Sequence, residues 1–314
     1  MKYRKLGNSG INVSVIGHGT WQLGNDMFGE VDEAQAIKAI HASLDNGVNL
    51  IDTAPAYGAN AESEIIVGRA AEGRRDKVIL ATKVGLMRVY GEYVRCLSPG
   101  MMRIQLEHSL KRLKTDYIDL YQIHWPDYNS SLESALQTLL DMKKEGKIRA
   151  IGVSNFSIDQ MKQGMDTAGM SSVQPPLNML DRGSIEKGII PFCAENNIGV
   201  LTYGSLGGGI LAGKAEALKT DGKEQRAGFY PFYSEPMLSK CRELLKYLGG
   251  IADGRGVSVA EVSINWVLAQ NGVTSALIGS VSPAKSVQNT KAADWELSEG
   301  ELAGIEREYR RIMG

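Results

Sequence analysis

The feature that most constrains the fold is an alternation, along the whole chain, of short apolar runs with segments of helical spacing. Between most of the runs lie amphipathic segments such as Leu132–Lys144, which places Leu136, Leu139 and Leu140 on one face. Runs that are apolar on both faces are typical of parallel strands covered by helices. Eight runs rich in β-branched residues are predicted strands, near residues 13–17, 48–51, 78–82, 118–123, 148–153, 173–174, 198–203 and 275–278.

Eight strands that alternate with about eight helices admit two α/β architectures. One is a closed (β/α)8 barrel of the TIM type, and the other is an open, doubly wound sheet with a second domain. The sequence has no break in composition and no linker, and its 314 residues suit one barrel with insertions. We therefore favour a single barrel domain over residues 1–314 and keep the open sheet as the alternative.

Three segments add to the minimal repeat. Asn8-Ser9-Gly10 lies between short apolar segments and predicts an N-terminal β-hairpin. Residues 84–98 and 204–235 are long loops after the third and seventh strands. In a barrel both loops lie at the carboxyl ends of the strands, where active sites are built. The first of them matches no known motif and is expected to set substrate choice.

Composition and charge exclude several classes of partner. The chain carries 35 Lys+Arg against 36 Asp+Glu, which excludes a surface adapted as a whole to nucleic acid or to anionic membranes. No apolar run is long enough to span a membrane, and the N-terminus does not read as a secretory signal. Three cysteines without CxxC spacing predict neither a disulfide framework nor a zinc site, so we expect a reducing, cytoplasmic setting and no metal.

Two glycine-rich patterns in the second long loop match nucleotide-binding motifs only in part. The stretch from Gly208 to Lys214 resembles a phosphate-binding P-loop, but Ala215 replaces the hydroxyl that would bind magnesium. The stretch from Gly207 to Ala212 resembles a dinucleotide fingerprint, but Gly213 follows at once and is a poor start for a helix. A glycine-rich loop with a lysine remains well suited to binding a pyrophosphate.

Four polar residues lie at or just after predicted strand ends: Asp52, Tyr57, Lys83 and His124. Singly, each has an ordinary structural explanation as a turn former, a surface aromatic, a solvated lysine or a capped loop histidine. In a parallel barrel, however, all these ends converge at one mouth. A lysine lowers the pKa of a nearby phenol, and an aspartate keeps that lysine charged. The phenol can then protonate an alkoxide while the histidine directs a carbonyl oxygen, which predicts carbonyl reduction by hydride without a metal.

Taken together and in order, the motifs resemble the aldo-keto reductase superfamily, and within it the bacterial reductases of the inositol-operon and general-stress type. The matching stretches are 17–21, 49–57, 82–83, 113–126, 146–156 and 202–214. They cover essentially the whole chain. The resemblance implies a TIM barrel that binds NADPH, or NADH, in an extended form. It also implies the reduction of small aldehydes or ketones, including sugar- or inositol-related ones.

The resemblance carries residue roles with it. Tyr57 matches the proton donor, Asp52 and Lys83 the pair that tunes it, and His124 the substrate-orienting histidine. The pocket walls implied near nicotinamide and substrate are Gly19, Thr20, Trp21 and Trp125, with Asp52, Tyr57 and His124 beside them. The other cofactor-binding residues implied are Ser154, Asn155 and Gln174 for the carboxamide, Tyr203 for stacking, Gly204, Ser205, Leu206, Gly213 and Lys214 for the pyrophosphate, and Gly279, Ser280, Lys285, Gln288 and Asn289 for the adenosine end.

One departure from the family bears on the cofactor. Relatives that prefer NADPH often carry Arg or Lys just after the glycine that ends the eighth strand, whereas this chain has Ser280-Val281-Ser282. Lys285 is then the one cation in this stretch for a 2′-phosphate, so we expect both cofactors to work, with NADPH preferred.

A rival from another class is a non-catalytic NADPH-binding regulatory subunit that resembles potassium-channel β-subunits. Those subunits carry extra N-terminal segments, which we do not expect here, and the complete tetrad favours an enzyme.

Overall fold

The computed structural model describes residues 1–24, 29–213 and 225–314. The strands are β1 (Tyr3–Lys5), β2 (Asn12–Ser14), β3 (Ile16–Gly19), β4 (Leu50–Asp52), β5 (Ile79–Val84), β6 (Leu86–Val89), β7 (Glu92–Arg95), β8 (Ile118–Ile123), β9 (Ile148–Ser154), β10 (Ser172–Gln174), β11 (Gly199–Thr202) and β12 (Val273–Gly279). The helices are α1 (Glu33–Asp45), α2 (Glu62–Ala71), α3 (Pro99–Leu113), α4 (Leu132–Lys144), α5 (Ile158–Ala168), α6 (Gly183–Glu186), α7 (Ile189–Glu195), α8 (Met237–Arg255), α9 (Val259–Leu268), α10 (Pro283–Thr290) and α11 (Glu299–Met313).

Eight of the strands close into a parallel barrel. Starting at β3, the order around the barrel is β3, β4, β5, β8, β9, β10, β11 and β12, and β12 pairs back to β3 with Gly279 opposite Gly19. The predicted (β/α)8 barrel is thereby confirmed, and the open doubly wound sheet is wrong. In the part of the chain described, no helix is both long and apolar enough to cross a membrane.

The predicted N-terminal hairpin is formed by β1 and β2, which pair antiparallel. One predicted boundary is wrong: part of the run at 13–17 belongs to this hairpin, and the barrel strand β3 begins at Ile16. The two segments are apolar and adjacent, so their pattern alone could not divide them. Leu6, Ile11 and Val13 of the hairpin region join the cluster that fills the barrel interior. The hairpin therefore closes the N-terminal end of the barrel.

Strand alternation divides the barrel interior into an apolar layer and a polar one. Leu50 belongs to the interior cluster, Ile51 packs in the layer beneath the helices, and Asp52 again faces the axis. On β5 the same period places Ala81 in the interior cluster and Lys83 two residues further along. Since successive side chains of a strand point to opposite faces, the polar residues at the carboxyl ends face the barrel axis.

Local signals start the outer helices where the sequence indicates. Capping boxes at Ser258 and Ser298 begin α9 and α11, and the Ser282 hydroxyl accepts the backbone N–H of Lys285 in α10. Ser98 stands before Pro99 at the start of α3, but its side chain makes no capping hydrogen bond. These helices bury their apolar faces against the strands in one continuous core.

The two long loops lie where they were expected, after the strands β5 and β11. The first contains the hairpin of β6 and β7, which pair antiparallel. The second contains short 3-10 helices at Gly207–Ala212, Gln225–Gly228 and Pro231–Tyr233. Both loops bring residues to the carboxyl end of the barrel, opposite the closed end.

Candidate active site

Lys83 is the centre of the polar layer at the carboxyl end of the barrel. Its side chain has no exposed surface, and Nζ donates to Oδ1 of Asp52 at 2.6 Å, to the carbonyl of Thr53 at 2.9 Å and to Oη of Tyr57 at 3.1 Å. The strands β4 and β5 that carry Asp52 and Lys83 are neighbours, with Asp52 opposite Ala81. The barrel thus brings together three of the four residues proposed from the sequence.

The second oxygen of Asp52 is held by two amides. Oδ2 accepts hydrogen bonds from Nε2 of Gln174 at 2.8 Å and from Nε2 of Gln122 at 3.1 Å. Sequence reasoning missed Gln122, although a buried glutamine in the apolar run 118–123 was a usable signal. Gln174, expected at the carboxamide, lies at the site but its amide nitrogen binds Asp52. These bonds fix the carboxylate that pairs with Lys83.

The acidity of Tyr57 differs from the expectation. Burial raises the pKa of the Tyr57 phenol well above its ordinary value near 10, and the charge of Asp52 adds to the rise. Burial also lowers the pKa of Lys83, while the charge and hydrogen bond of Asp52 oppose that change. The net direction of the Tyr57 pKa is therefore opposite to the expected lowering, because burial and the charge of Asp52 dominate it.

His124 completes the tetrad as an uncharged imidazole. Its ring stands edge-on to the Tyr57 ring at 5.8 Å between centroids. Burial lowers the pKa of His124 well below 6.5, and the cations Lys83 and Arg95 lower it further. A neutral imidazole has one N–H to donate, which suits a hydrogen bond to a carbonyl oxygen. Tyr57 and His124 can therefore meet the same oxygen atom from two sides.

A cavity of about 340 Å³ lies above the tetrad. Its lining combines Tyr57 and His124 with expected wall residues and with residues from the two long loops. The expected walls are Trp21 and Trp125, the expected nicotinamide-binding residues are Ser154, Asn155, Gln174 and Tyr203, and the loop residues are Leu86, Tyr93, Arg95 and Phe229. The rings of Trp21 and Phe229 pack edge to face with their centroids 5.0 Å apart, which links the segment after β3 to the second long loop. The volume suits a small ligand.

Thr20 does not line this cavity. It is fully buried, its hydroxyl donates to the backbone carbonyl of Asp52 at 2.8 Å, and it accepts from Ser63 at 2.7 Å. The structure therefore places Thr20 beneath the site, where it supports the strand end that carries Asp52, and not at the pocket wall. Gly19 lies beside it, opposite Asp52 in the pairing of β3 with β4.

The corner expected to bind a carboxamide is a connected set of polar groups. Oγ of Ser154 donates to the carbonyl of Gln174, and Nδ2 of Asn155 donates to Ser154 and to the carbonyl of His124. The Tyr203 hydroxyl donates to Oδ1 of Asn155 at 2.9 Å, which holds its ring at the cavity wall. Because the Gln174 amide nitrogen binds Asp52, its amide oxygen remains as an acceptor for a carboxamide N–H.

The glycine-rich turn after β11 has a backbone conformation that depends on its glycines. Gly207, Gly208 and Gly209 all have positive φ angles, of 56°, 68° and 104°. A Cβ at Gly208 would come within 2.5 Å of the Tyr230 ring, so only glycine fits there. Within the turn, the N–H of Gly207 donates to the carbonyl of Gly204 at 2.7 Å and the N–H of Gly209 to that of Leu206 at 2.9 Å. Ser205 and Leu206 lie in the same turn after Gly204, and Gly213 ends it, whereas Lys214 lies outside the described residues.

The residues expected at the adenosine end gather around the end of β12 and the start of α10. Ser280 follows Gly279, and its hydroxyl donates to the carbonyl of Ser282 at 3.0 Å. Lys285 in the first turn of α10 has an exposed side chain, and Gln288 and Asn289 follow one turn later. A helix N-terminus with an exposed cation suits a phosphate. The carboxamide corner and the start of α10 therefore fit the two ends of a dinucleotide cofactor.

Comparisons with known proteins agree with this geometry. The Aldo/keto reductase family matches residues 15–309. The aldo-keto reductase YhdN of Bacillus subtilis (strain 168) is 40% identical over 301 residues, which span 95% of this chain and 90% of that protein. The NADH-specific methylglyoxal reductase of Escherichia coli (strain K12) is 32% identical over 329 residues, covering 100% of this chain and 99% of that protein.

A solved structure is similar over nearly the whole length. The glycerol dehydrogenase AKR11B4 from Gluconobacter oxydans superposes with a TM-score of 0.91 at 36% identity, covering 99% of this chain and 95% of that one. A family match over almost the whole barrel, relatives above 30% identity and the same fold all agree. The chain belongs to the aldo/keto reductase family.

Proposed function

We propose that this chain catalyses the NAD(P)H-dependent reduction of small aldehydes or ketones to alcohols, with Tyr57 as the proton donor. The observation that carries the proposal is the hydrogen bond from Lys83 to the Tyr57 hydroxyl, made at the floor of the cavity. Members of this family use NADPH or NADH. The bound cofactor supplies the hydride, and every other requirement falls to residues of the chain.

Tyr57 holds the proton until the substrate needs it. Since burial raises its pKa, the phenol stays protonated through the neutral range. An alkoxide that forms on the substrate is a much stronger base than a phenolate, so it takes the proton. The Oη–H bond of Tyr57 breaks, and an O–H bond forms on the substrate. Lys83, at 3.1 Å, stabilises the phenolate that remains, and Asp52 keeps Lys83 charged and in place.

His124 orients the carbonyl. Its neutral imidazole can donate one hydrogen bond to the substrate oxygen, close to the Tyr57 ring that it meets edge-on. A donor directed at the oxygen that gains charge in the transition state contributes to rate and not only to binding. Trp21 and Trp125 form apolar walls of the cavity that exclude water from this reaction.

The proposed cofactor site extends from the cavity to α10. Tyr203, Gln174, Ser154 and Asn155 would hold the nicotinamide end, the glycine turn with Lys214 the pyrophosphate, and Ser280 with Lys285, Gln288 and Asn289 the adenosine end. We propose that NADPH is preferred and that NADH is also used. The NADH-specific name of the Escherichia coli relative supports use of NADH within this family.

The substrate class stays broad, with sugar- or inositol-related carbonyl compounds among the candidates. The comparison proteins are named for methylglyoxal reduction and as a glycerol dehydrogenase, which supports small, oxygen-rich substrates. All three cysteines, Cys96, Cys193 and Cys241, are free. The expected reducing, cytoplasmic setting stays a prediction.

The test is a turnover screen of the purified chain. NADPH or NADH oxidation would be followed with sugars, an inosose, methylglyoxal and aromatic aldehydes, in the wild type and in Tyr57→Phe. We expect turnover of several of these by the wild type and its loss in the variant. Tight cofactor binding without turnover of any carbonyl compound would instead support the regulatory-subunit alternative.

A further inference from the structure

The hairpin of β6 and β7 brings an arginine into the substrate cavity. Arg95 stands directly opposite Leu86 in this hairpin, and Tyr93 precedes it by two residues. Paired residues and residues two apart share one face of a hairpin. Leu86, Tyr93 and Arg95 all line the cavity that Tyr57 and His124 also line. The face that this hairpin turns toward the reacting groups therefore ends in a guanidinium.

The guanidinium is held in place without being neutralised. It lies over the Trp125 ring, 4.9 Å from the centroid, and Nη1 donates a long bond of 3.4 Å to the carbonyl of Pro126. In the ranges that the structure describes, it makes no ion pair with a carboxylate. Stacking on an indole fixes the plane of an arginine and leaves its edge N–H groups free to bind a planar anion in bidentate fashion.

The carboxylate of Asp127 lies within electrostatic reach of Arg95 but is occupied elsewhere. It accepts hydrogen bonds from the Ser130 hydroxyl and from the backbone N–H groups of Asn129 and Leu97. The hydroxyl and backbone bonds contribute more to its acidity than Arg95 does. Asp127 therefore caps its own loop and makes no direct ion pair with Arg95 within the described residues.

The lining of the cavity consequently carries one positive charge, on Arg95. Among its described lining residues Arg95 is ionised, whereas His124 is neutral because its pKa is lowered. The buried pair of Asp52 and Lys83 beneath the cavity cancels. Arg95 is exposed but lines the cavity beside the reacting groups, where its edge N–H groups can form charge-assisted, bidentate hydrogen bonds to a ligand anion.

We propose that Arg95 binds an anionic oxygen group, a carboxylate or a phosphate, on the carbonyl substrate. The preferred substrates are then short aldehydes or ketones whose far end carries that group. The carbonyl oxygen lies at Tyr57 and His124, and the anion lies at Arg95. This inference rests on the proposed reductase function and narrows its substrate class.

The test compares matched substrates that differ only in the anion. The pairs are 4-oxobutanoate against butanal, 4-carboxybenzaldehyde against benzaldehyde, and glyceraldehyde 3-phosphate against glyceraldehyde. We expect a kcat/KM at least about tenfold higher for an anionic member, since one charge-assisted contact commonly gives that factor. The carboxylate and phosphate pairs show which group the site takes.

Variants of Arg95 then assign the preference to its charge. Arg95→Gln should lower the ratio of kcat/KM for the anionic member to that for its neutral partner about tenfold, and Arg95→Glu should reverse the preference. The matched control is Arg88→Gln, which removes the same charge from the same hairpin. Arg88 lies over the Tyr93 ring and does not line the cavity, so its variant should keep the wild-type ratio. Thermal melting would confirm that each variant is folded.

A second readout does not depend on turnover of an anion. Butyrate should inhibit butanal reduction competitively, and Arg95→Gln should raise its inhibition constant about tenfold. Two outcomes would overturn the inference as long as butanal is still reduced. One is equal kcat/KM values within all three pairs, and the other is an unchanged inhibition constant for butyrate in Arg95→Gln. Absence of reduction of every aldehyde, neutral ones included, would instead contradict the proposed function itself.

Discussion

Nζ of Lys83 donates a hydrogen bond to Oη of Tyr57 over 3.1 Å, from a side chain with no exposed surface. The same ammonium binds Asp52 at 2.6 Å, so the phenol stands at the end of a three-residue chain. The chain begins on β4, crosses to β5 and returns to the loop after β4. Because a fully buried ammonium cannot exchange its partners for water, the state of each member depends on the other two.

Removal of the phenol hydroxyl should abolish most of the reduction. Tyr57→Phe keeps the ring that packs against Trp21 and His124 but lacks the proton. We expect kcat to fall by about 10²-fold or more, the usual contribution of a general acid. Cofactor affinity, measured by fluorescence titration, should stay unchanged. A variant that keeps more than a tenth of the wild-type kcat would contradict the assignment.

The buried ion pair makes a prediction for stability. Lys83→Met leaves the Asp52 carboxylate buried without its cation, which should lower the free energy of unfolding by about 3–5 kcal/mol. Adding Asp52→Asn should recover a large part of that loss, because no charge then stays uncompensated. Denaturant unfolding of the wild type, both single variants and the double variant measures the coupling. Strictly additive effects would show that the two side chains do not act as a pair.

The pKa directions predict a broad pH plateau for kcat/KM of reduction. The reaction needs protonated Tyr57, whose raised pKa moves the loss of activity to a pH above 10. It also needs neutral His124, whose lowered pKa moves the acid limb well below 6.5. Activity should therefore be flat across the neutral range. A limb between pH 7 and 9, in a range where the cofactor and substrate do not titrate, would contradict these directions.

His18 should make stability depend on pH in the acid range. It is fully buried against the Ser43 hydroxyl, 2.8 Å from Nδ1, and burial lowers its pKa to about 4. The unfolded chain binds this proton at about pH 6.5, so the contribution of His18 is complete above that pH and is lost between 6.5 and 4. Between pH 6.5 and pH 4, the free energy of unfolding should fall by roughly 3 kcal/mol less in His18→Asn than in the wild type, as measured by denaturant unfolding at each pH. Parallel curves would contradict a buried, neutral His18.

Lys285 should distinguish the two cofactors. We expect Lys285→Ala to raise KM for NADPH several-fold and to leave NADH almost unchanged, since only NADPH carries the 2′-phosphate. Lys291, an exposed lysine just past the other end of α10, gives the control, and its Ala variant should change neither constant. Val281→Arg should increase the preference for NADPH over NADH. Equal losses for both cofactors in Lys285→Ala would remove the phosphate role.

Much of the fold and of the tetrad could be predicted because both are local properties of strands. The eight apolar runs predict a barrel, and Asp52 and Lys83 end neighbouring strands with the same inward period. Gln122 obeys that period too, but an isolated glutamine in an apolar run gives no sign of its partner. Its hydrogen bond to Asp52 joins residues 70 positions apart.

Loop residues were the second group that sequence reasoning missed. Phe229 and Arg95 reach the cavity from two different loops. Their positions depend on how each loop folds back over the barrel, as when β7 pairs with β6 to turn Arg95 inward. No periodicity along 84–98 distinguishes the inward face from the outward one before that pairing is known.

The sequence by itself determined that strands alternate with helices along the chain, and it favoured the closed barrel in which Asp52, Tyr57, Lys83 and His124 converge at one end. Tertiary structure alone decided the electrostatics of that end. The sequence predicted a phenol made more acidic by Lys83, whereas the folded chain raises the Tyr57 pKa. The physical reason is that patterns along a chain record which residues meet, whereas a pKa depends on the water that all surrounding elements together exclude.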